Sequence, residues 1–597
     1  MRILHLNKYI ENELLRDHVL EDCPLVIDGH NFFYNIYEKN KLDFVFGSVC
    51  NEYARCLLRR ELNMFTKAGI QCHFIFKGGD LDINYKISKI QPVNFDIEVN
   101  KFVPPIFLRE VCLQVLEEFG FKYSTSITET VDDCLALAEL LECPVLSSGH
   151  KYYLSTVPFI PLGKINYSNP NDFIHCKQYQ LTDLLSLHSL TEEKLAMFVA
   201  LSDIHLFPFN HFADLFEKWH VFNSDTTLQI KNILKWLSEH TEDEAVESIM
   251  EFLSIESDRK KFIEYTEKIL ENMRTEQGGV VVDYLYNIDG LADMEYPDPL
   301  WFEKGVASQK IPIPYINLFK HKFILGSTGT EKKESTDSIL LSIDIIKYAY
   351  NLLTNYQTTD IFVYQDSTNY IKINTADTTV KQPIYECRES VFENGWKYLK
   401  GLELMKHFLS ANNIDIDLVD LPDDVKMLFV TLVYFARKKQ EDGINVDKIV
   451  YCFIISYVML MHITVSYDRS DYYLCKDHGI RTDEFNELRR NIMSHYFICY
   501  DDEVKRIYDS DKLKPLIELQ YCLLHMNYLN NMCGNPYVPT VYHKTFNGTF
   551  IYKLLLDMSD CDPDDFIQSM LERVPSVHMY VVKLLSAYQE LISHNVC

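Results

Sequence analysis

Residues 142–154 read ECPVLSSGHKYYL. The apolar run Pro144-Val145-Leu146 ends in Ser147, Ser148, Gly149, His150 and Lys151. In a parallel α/β sheet the carboxyl ends of the strands line the ligand crevice, so this tip is where chemistry would sit. It offers hydroxyls, one imidazole and one ammonium group, but neither a carboxylate nor a thiol. Two other apolar runs end in a similar way: Leu25-Val26-Ile27 stops at Asp28-Gly29, and His73 to Phe76 stops at Lys77-Gly78-Gly79. His150 could serve as a base or a metal ligand; an exposed loop histidine is the simpler reading. A second constellation lies far along the chain. Cys475 with His478, and His495 with Cys499, have spacings compatible with zinc. Within a helical stretch they read as core cysteines and surface histidines.

These tips need a sheet to hold them. The runs at 25–27 and 73–76 are separated by residues 50–67, which have helical spacing. Residues 107–119 form another helical stretch, with Leu108, Val111, Cys112, Val115 and Leu116 on one face. Phe121-Lys122-Tyr123 opens a third strand. Thr130 and Asp133 then make a capping-box-like start for a helix bearing Cys134, Leu137, Ala138 and Leu141. This βαβα order predicts a parallel sheet covered by helices. From about residue 183 the pattern turns helical, with long amphipathic stretches at 228–240 and 244–273. A polar linker is expected near 276–299, and residues 300–597 read as mainly α-helical. GSTGTEKKES (326–335) lacks the ending of a phosphate-binding loop and reads as a plain loop.

Length and charge narrow the function classes. At 597 residues the chain is too long for one core. The 16 cysteines include no CxxC pair, and MRILHLNKYIENELL does not look like a secretion signal, so reduced thiols in nucleus or cytoplasm are expected. Asp and Glu exceed Lys and Arg by 86 to 58, a net charge of −28. That field repels nucleic acid at long range, and no dense basic run offsets it. The apolar stretch from Ile449 to Tyr467 is near the length of a membrane span, but its polar residues favour a buried core helix and no membrane.

Several segments together resemble the XPG/flap-endonuclease superfamily, built on a PIN-like domain, and most closely its asteroid family. They are LVIDGHNFFYNIY (25–37), FLREVCLQVL (107–116), CPVLSS (143–148), ALSDI (200–204) and ILKWLSEHTEDEAVESIMEFL (233–253). The likeness continues in ASQKIPIPYINLF (307–319) and LQYCLLHMNYLNNM (519–532). It implies an α/β PIN-like domain over 1–205, a helical extension over 206–275 that stands for a helix-turn-helix, the linker at 276–299, and an α-helical domain over 300–597. It also implies a metal-dependent DNA endonuclease using Mg²⁺ or Mn²⁺. The metal would lower the pKa of a bound water and stabilise charge on the phosphate.

By this resemblance Asp28, Glu129 and Asp203 match metal-site carboxylates, and Asp133 stands beside them, with helix capping as its simpler role. Other positions depart. Lys77 stands where an acid ends the second strand, Val131 where one follows Glu129, and Gly149 and Lys151 where two follow the paired serines. Arg2 and His5 replace the small amino-terminal residues of the superfamily, and the segment after Asp203 lacks its glycine. The expectation is a degenerate metal site in which Lys77 and Lys151 act as counterions to Asp28, Glu129 and Asp203. The chain would then be a pseudonuclease acting by binding. The alternatives are a metal-dependent, structure-specific endonuclease on single-stranded or 3′-overhang DNA, and a scaffold in EGF-receptor signalling with an unknown protein partner.

Overall fold

The computed structural model describes residues 3–40, 53–81, 86–88, 105–166, 172–208, 211–273, 279–286, 300–326, 337–365, 369–376, 380, 392, 400–464, 478–481, 484 and 510–594. Two compact units form. One comprises Met1–Asn35, Arg60–Lys77 and Phe119–Ile288; the other comprises Ile36–Arg59, Gly78–Glu118 and Asp289–Cys597. Chain order and unit order therefore differ, because two stretches between the early strands group with the helical part.

The first unit holds a five-stranded sheet. Strand β1 (Arg16–Leu20) stands outside it. Strands β2 (Pro24–Asp28), β3 (Gln71–Phe76), β4 (Lys122–Thr125), β5 (Val145–Ser147) and β6 (Phe159–Pro161) pair in the order β4-β3-β2-β5-β6, every pair parallel. The expected parallel α/β domain is thus present. β2 and β3 are almost wholly buried. That is why both read as continuous apolar runs rather than alternating ones. The order reverses between β2 and β5, and a doubly wound sheet opens its crevice at such a reversal. Asp28 and Ser147 end the two strands that flank it. A separate antiparallel ribbon joins β1 to β7 (Ile174–Gln178). Its one-sided burial, with Ile174 and Cys176 in and His175 and Lys177 out, lacks the apolar run by which the central strands announce themselves.

The helical extension departs from the sequence reading in one respect. The stretch at 244–273 is two helices, Glu242–Phe252 and Glu256–Met273. The first is opened by a full capping box between Thr241 and Glu244. Residues Leu253 to Ile255, non-helical, separate the two, and the second begins at Glu256. A helix also forms at Val280–Tyr286 and packs on β4 and on the helix Val131–Leu140.

The second unit is mainly helical. The helix Ser510–Met532 packs against Asp423–Glu441 and Ile343–Leu353. The helix Asp447–Thr464 covers most of the apolar stretch and buries Val450, Phe453, Ile454, Val458 and Leu460 in this core. Among the described residues no helix is long and apolar enough to cross a membrane. The unit also carries a three-stranded sheet, ordered β10-β9-β8: β8 (Phe323–Leu325), β9 (Asp360–Tyr364) and β10 (Tyr370–Asn374).

Candidate functional site

Asp28 is the last residue of β2 and is 2% exposed. Four donors converge on its Oδ2: Asn31 Nδ2 at 2.5 Å, Ser147 Oγ at 3.0 Å, Thr130 Oγ1 at 3.2 Å and Tyr152 OH at 3.2 Å. Its Oδ1 accepts from the Asn31 backbone N–H at 3.3 Å. Each donor comes from a different element. Asn31 lies in the first turn of the helix Gly29–Lys39, and Ser147 ends β5. Thr130 precedes the helix Val131–Leu140, and Tyr152 rides the 3-10 turn His150–Leu154. Burial raises the Asp28 carboxyl above its ordinary range, while the hydrogen bonds from Asn31, Ser147 and Thr130 pull it back. A second layer braces the first. Asn31 Nδ2 also reaches Ser147 Oγ at 3.2 Å, and Ser148 Oγ donates to Asn31 Oδ1 at 2.8 Å.

The capping-box reading of Thr130 is corrected here. Its side chain makes no cap hydrogen bond. The hydroxyl is spent on the buried Asp28 carboxylate instead, where an unmet acceptor would cost more than an uncapped N–H near water. Asp133 sits half-buried in the first turn of the same helix. Its carboxyl is raised by burial and by the neighbouring Asp132.

The other predicted positions go different ways. Lys77 Nζ lies 2.9 Å from Glu129 Oε1, so one of the proposed counterions pairs with one of the acids. Lys151 is exposed on its turn, and no ion pair of Lys151 occurs among the described residues. Asp28 is held by uncharged donors rather than by a lysine. Asp203 ends the helix Glu192–Ser202 and is buried. It accepts from the His205 backbone N–H at 3.0 Å and from the Tyr265 hydroxyl of the helix Glu256–Met273, and its backbone bridges to Ile3. A pocket beside it is lined by Ile3, Leu201, Asp203, Thr226, Gln229 and Ile233. Val131 is half-buried, and Gly149 and His150 are intermediate in exposure.

Among the described residues no three His, Cys, Asp or Glu side chains gather closely enough to hold a metal ion. A hard divalent cation needs several oxygen acceptors around it. Around Asp28 stand amide and hydroxyl groups that donate to the carboxylate. This donor set does not fit such a cation. Of the possible zinc ligands, Cys475, His495 and Cys499 lie outside the described residues. His478 lies 3.4 Å from Asp424 and stacks on Tyr580.

The family model described as Asteroid N-terminal domain matches residues 424–597. "Protein asteroid" of Drosophila melanogaster is 27% identical over 175 residues, covering 27% of this chain and 20% of that one. The chain is related to the asteroid family. The human "Single-strand DNA endonuclease ASTE1" is 27% identical over 194 residues, covering 30% of this chain and 28% of that one. The Danio rerio protein of the same name is 24% identical over 275 residues, covering 42% and 39%. These matches thus span between a fifth and two fifths of the asteroid relatives' length. Among solved structures, human GEN1 in complex with Holliday junction DNA is similar with a TM-score of 0.31 at 12% identity, covering 60% of this chain and 83% of that one. The catalytic core of Rad2 with a DNA substrate is similar with a TM-score of 0.25 at 15% identity, covering 46% and 96%.

Sequence reading missed Asn31, Thr130, Ser147 and Tyr152 as partners of Asp28. Asn31 carries a local signal, since three residues after a strand-end acid lies one helical turn away. Tyr152 carries none, because only the 3-10 turn brings its hydroxyl inward.

Proposed function

We propose that this chain is a pseudonuclease: a nuclease-type α/β domain that acts by binding rather than by cutting. The observation that carries this reading is the convergence of Asn31, Thr130, Ser147 and Tyr152 on one oxygen of Asp28. A carboxylate that must activate a metal-bound water needs a free lone pair facing the metal. Here Oδ2 already accepts from four protein donors and Oδ1 accepts the Asn31 backbone N–H. The pairing of Glu129 with Lys77 supports the same reading, since a cation stands where the resemblance implies a ligand. The charge of −28 favours a protein partner over high-affinity DNA binding.

The test is cleavage of fluorescent single-stranded and 3′-overhang DNA in Mg²⁺ or Mn²⁺, comparing the full chain with Asp28→Asn. The asparagine keeps the side chain's shape, so the control stays folded more readily than alanine would. Equal, background-level turnover is expected. Metal-dependent cleavage lost in Asp28→Asn would establish instead a single-strand endonuclease, the activity named for the human relative.

A further inference from the structure

The resemblance places an acid at position 149, and the structure supplies a reason why glycine stands there. Gly149 has φ −75° and ψ 130°, extended backbone that any residue adopts, so conformation does not require glycine. Space does. A Cβ on Gly149 would lie 3.0 and 3.1 Å from Cε2 and Cδ2 of Tyr152, and 3.5 Å from Ser147 Oγ. The first two distances are tighter than ordinary carbon contacts, so the ring would have to give. Tyr152 has little freedom to do so. It is 1% exposed, stacks on Phe159 at 5.5 Å and 13°, and aims its hydroxyl at Asp28.

From this juxtaposition we infer that Tyr152 is an internal plug, and that Gly149 and Tyr152 form a steric lock keeping the Asp28 crevice closed to divalent cations. The inference rests on the pseudonuclease reading and deepens it. The lost site is not a set of independently missing ligands. The ring fills the space beside position 149, and its hydroxyl occupies Asp28. Reinstating carboxylates at 77, 149 and 151 therefore leaves the crevice closed for as long as the ring remains.

Calorimetric titration of the full chain with Mn²⁺ tests this. The variants are Lys77→Asp/Gly149→Asp/Lys151→Asp, and the same set with Tyr152→Phe or Tyr152→Ala added. The lock predicts little Mn²⁺ binding in the set with tyrosine or phenylalanine. With Tyr152→Ala, binding should tighten by about tenfold or more, the scale on which groups around a metal site alter affinity. Equal binding with and without the ring, or no binding in any folded variant, overturns it. If the multiple variants do not fold, a thermal-stability cycle on Gly149→Ala and Tyr152→Leu decides. The lock predicts that the loss of Tm caused by Gly149→Ala shrinks at least twofold when Tyr152→Leu is present, and additive losses overturn it. The two readings fail separately. Metal-dependent cleavage by the unaltered chain defeats the pseudonuclease reading, whereas ring-independent Mn²⁺ binding in the variants defeats the lock alone.

Discussion

The two polar groupings at the candidate site, Lys77 with Glu129 and the donors around Asp28, differ in weight. Lys77 and Glu129 are 28% and 37% exposed, so water and salt screen them. Lys77→Ala should cost less than about 1 kcal/mol in urea unfolding. Asp28 is different, because removing its carboxylate leaves buried hydroxyls and an amide without an acceptor. Asp28→Ala should cost about 1–3 kcal/mol or more by the same measurement. Equal losses in the two variants would contradict the assignment of Asp28 as the centre of the network. A third residue sets an acid response far from this site. His525, in the helix Ser510–Met532, is 1% exposed with Tyr315 OH at 3.2 Å from Nδ1. Burial pushes it down to about 3 from 6.5, so the native ring stays neutral where the unfolded ring takes a proton. Stability from this group is therefore full above pH 6.5 and is lost as pH falls from 6.5 toward 3. His525→Gln should flatten the pH dependence of urea unfolding between about pH 6.5 and 5, by up to about 1.4 kcal/mol per pH unit. An unchanged slope would exclude a buried neutral His525.

Elements are held by contacts that their own sequences do not announce. The helix Glu256–Met273 is tied to the end of Glu192–Ser202 by the Tyr265 hydroxyl on Asp203. Lys261 adds a second tie, donating to the Leu206 carbonyl while lying over the Phe207 ring. Tyr265→Phe keeps the ring and removes the donor to a buried carboxylate. It should cost about 1–3 kcal/mol, with faster hydrogen exchange concentrated in residues 256–273. A global change without local exchange would speak against the tie. In the second unit, the start of the helix Gly401–Ala411 meets the carbonyl of Cys533, which a Cβ on Gly401 would approach to 1.6 Å. No rotamer relieves a clash between a Cβ and a backbone oxygen, so the helix itself must move if a side chain is added there.

For the molecule as a whole, charge is the controlling quantity. A net charge of −28 works against the counterion release on which non-specific DNA binding depends. Fluorescence anisotropy with a labelled single strand should show an apparent Kd weaker than about 10 μM at about 0.15 M salt. Submicromolar binding at that salt would require a local basic groove strong enough to overcome the overall field.

The sequence by itself determined the parallel α/β domain and the helical remainder. Continuous apolar runs ending in a polar residue and glycine mark buried parallel strands, and periodicity marks helices; both are local properties. It also placed Asp28 and Ser147 at strand ends, because the end of an apolar run is visible without knowing its neighbours. The antiparallel ribbon of β1 and β7 and the sheet of β8 to β10 were not legible, since short, partly exposed strands are defined by partners distant in the chain. Which groups meet the candidate site residues was decided by tertiary structure alone. Thr130 reads as a cap until β2 brings Asp28 within its reach. Gly149 reads as a missing ligand until the Tyr152 ring is found against it. Which donors meet a buried carboxylate depends on strand order and on the direction of a single 3-10 turn. Those are properties of the assembled fold, fixed by the cost of leaving a buried charge unbonded.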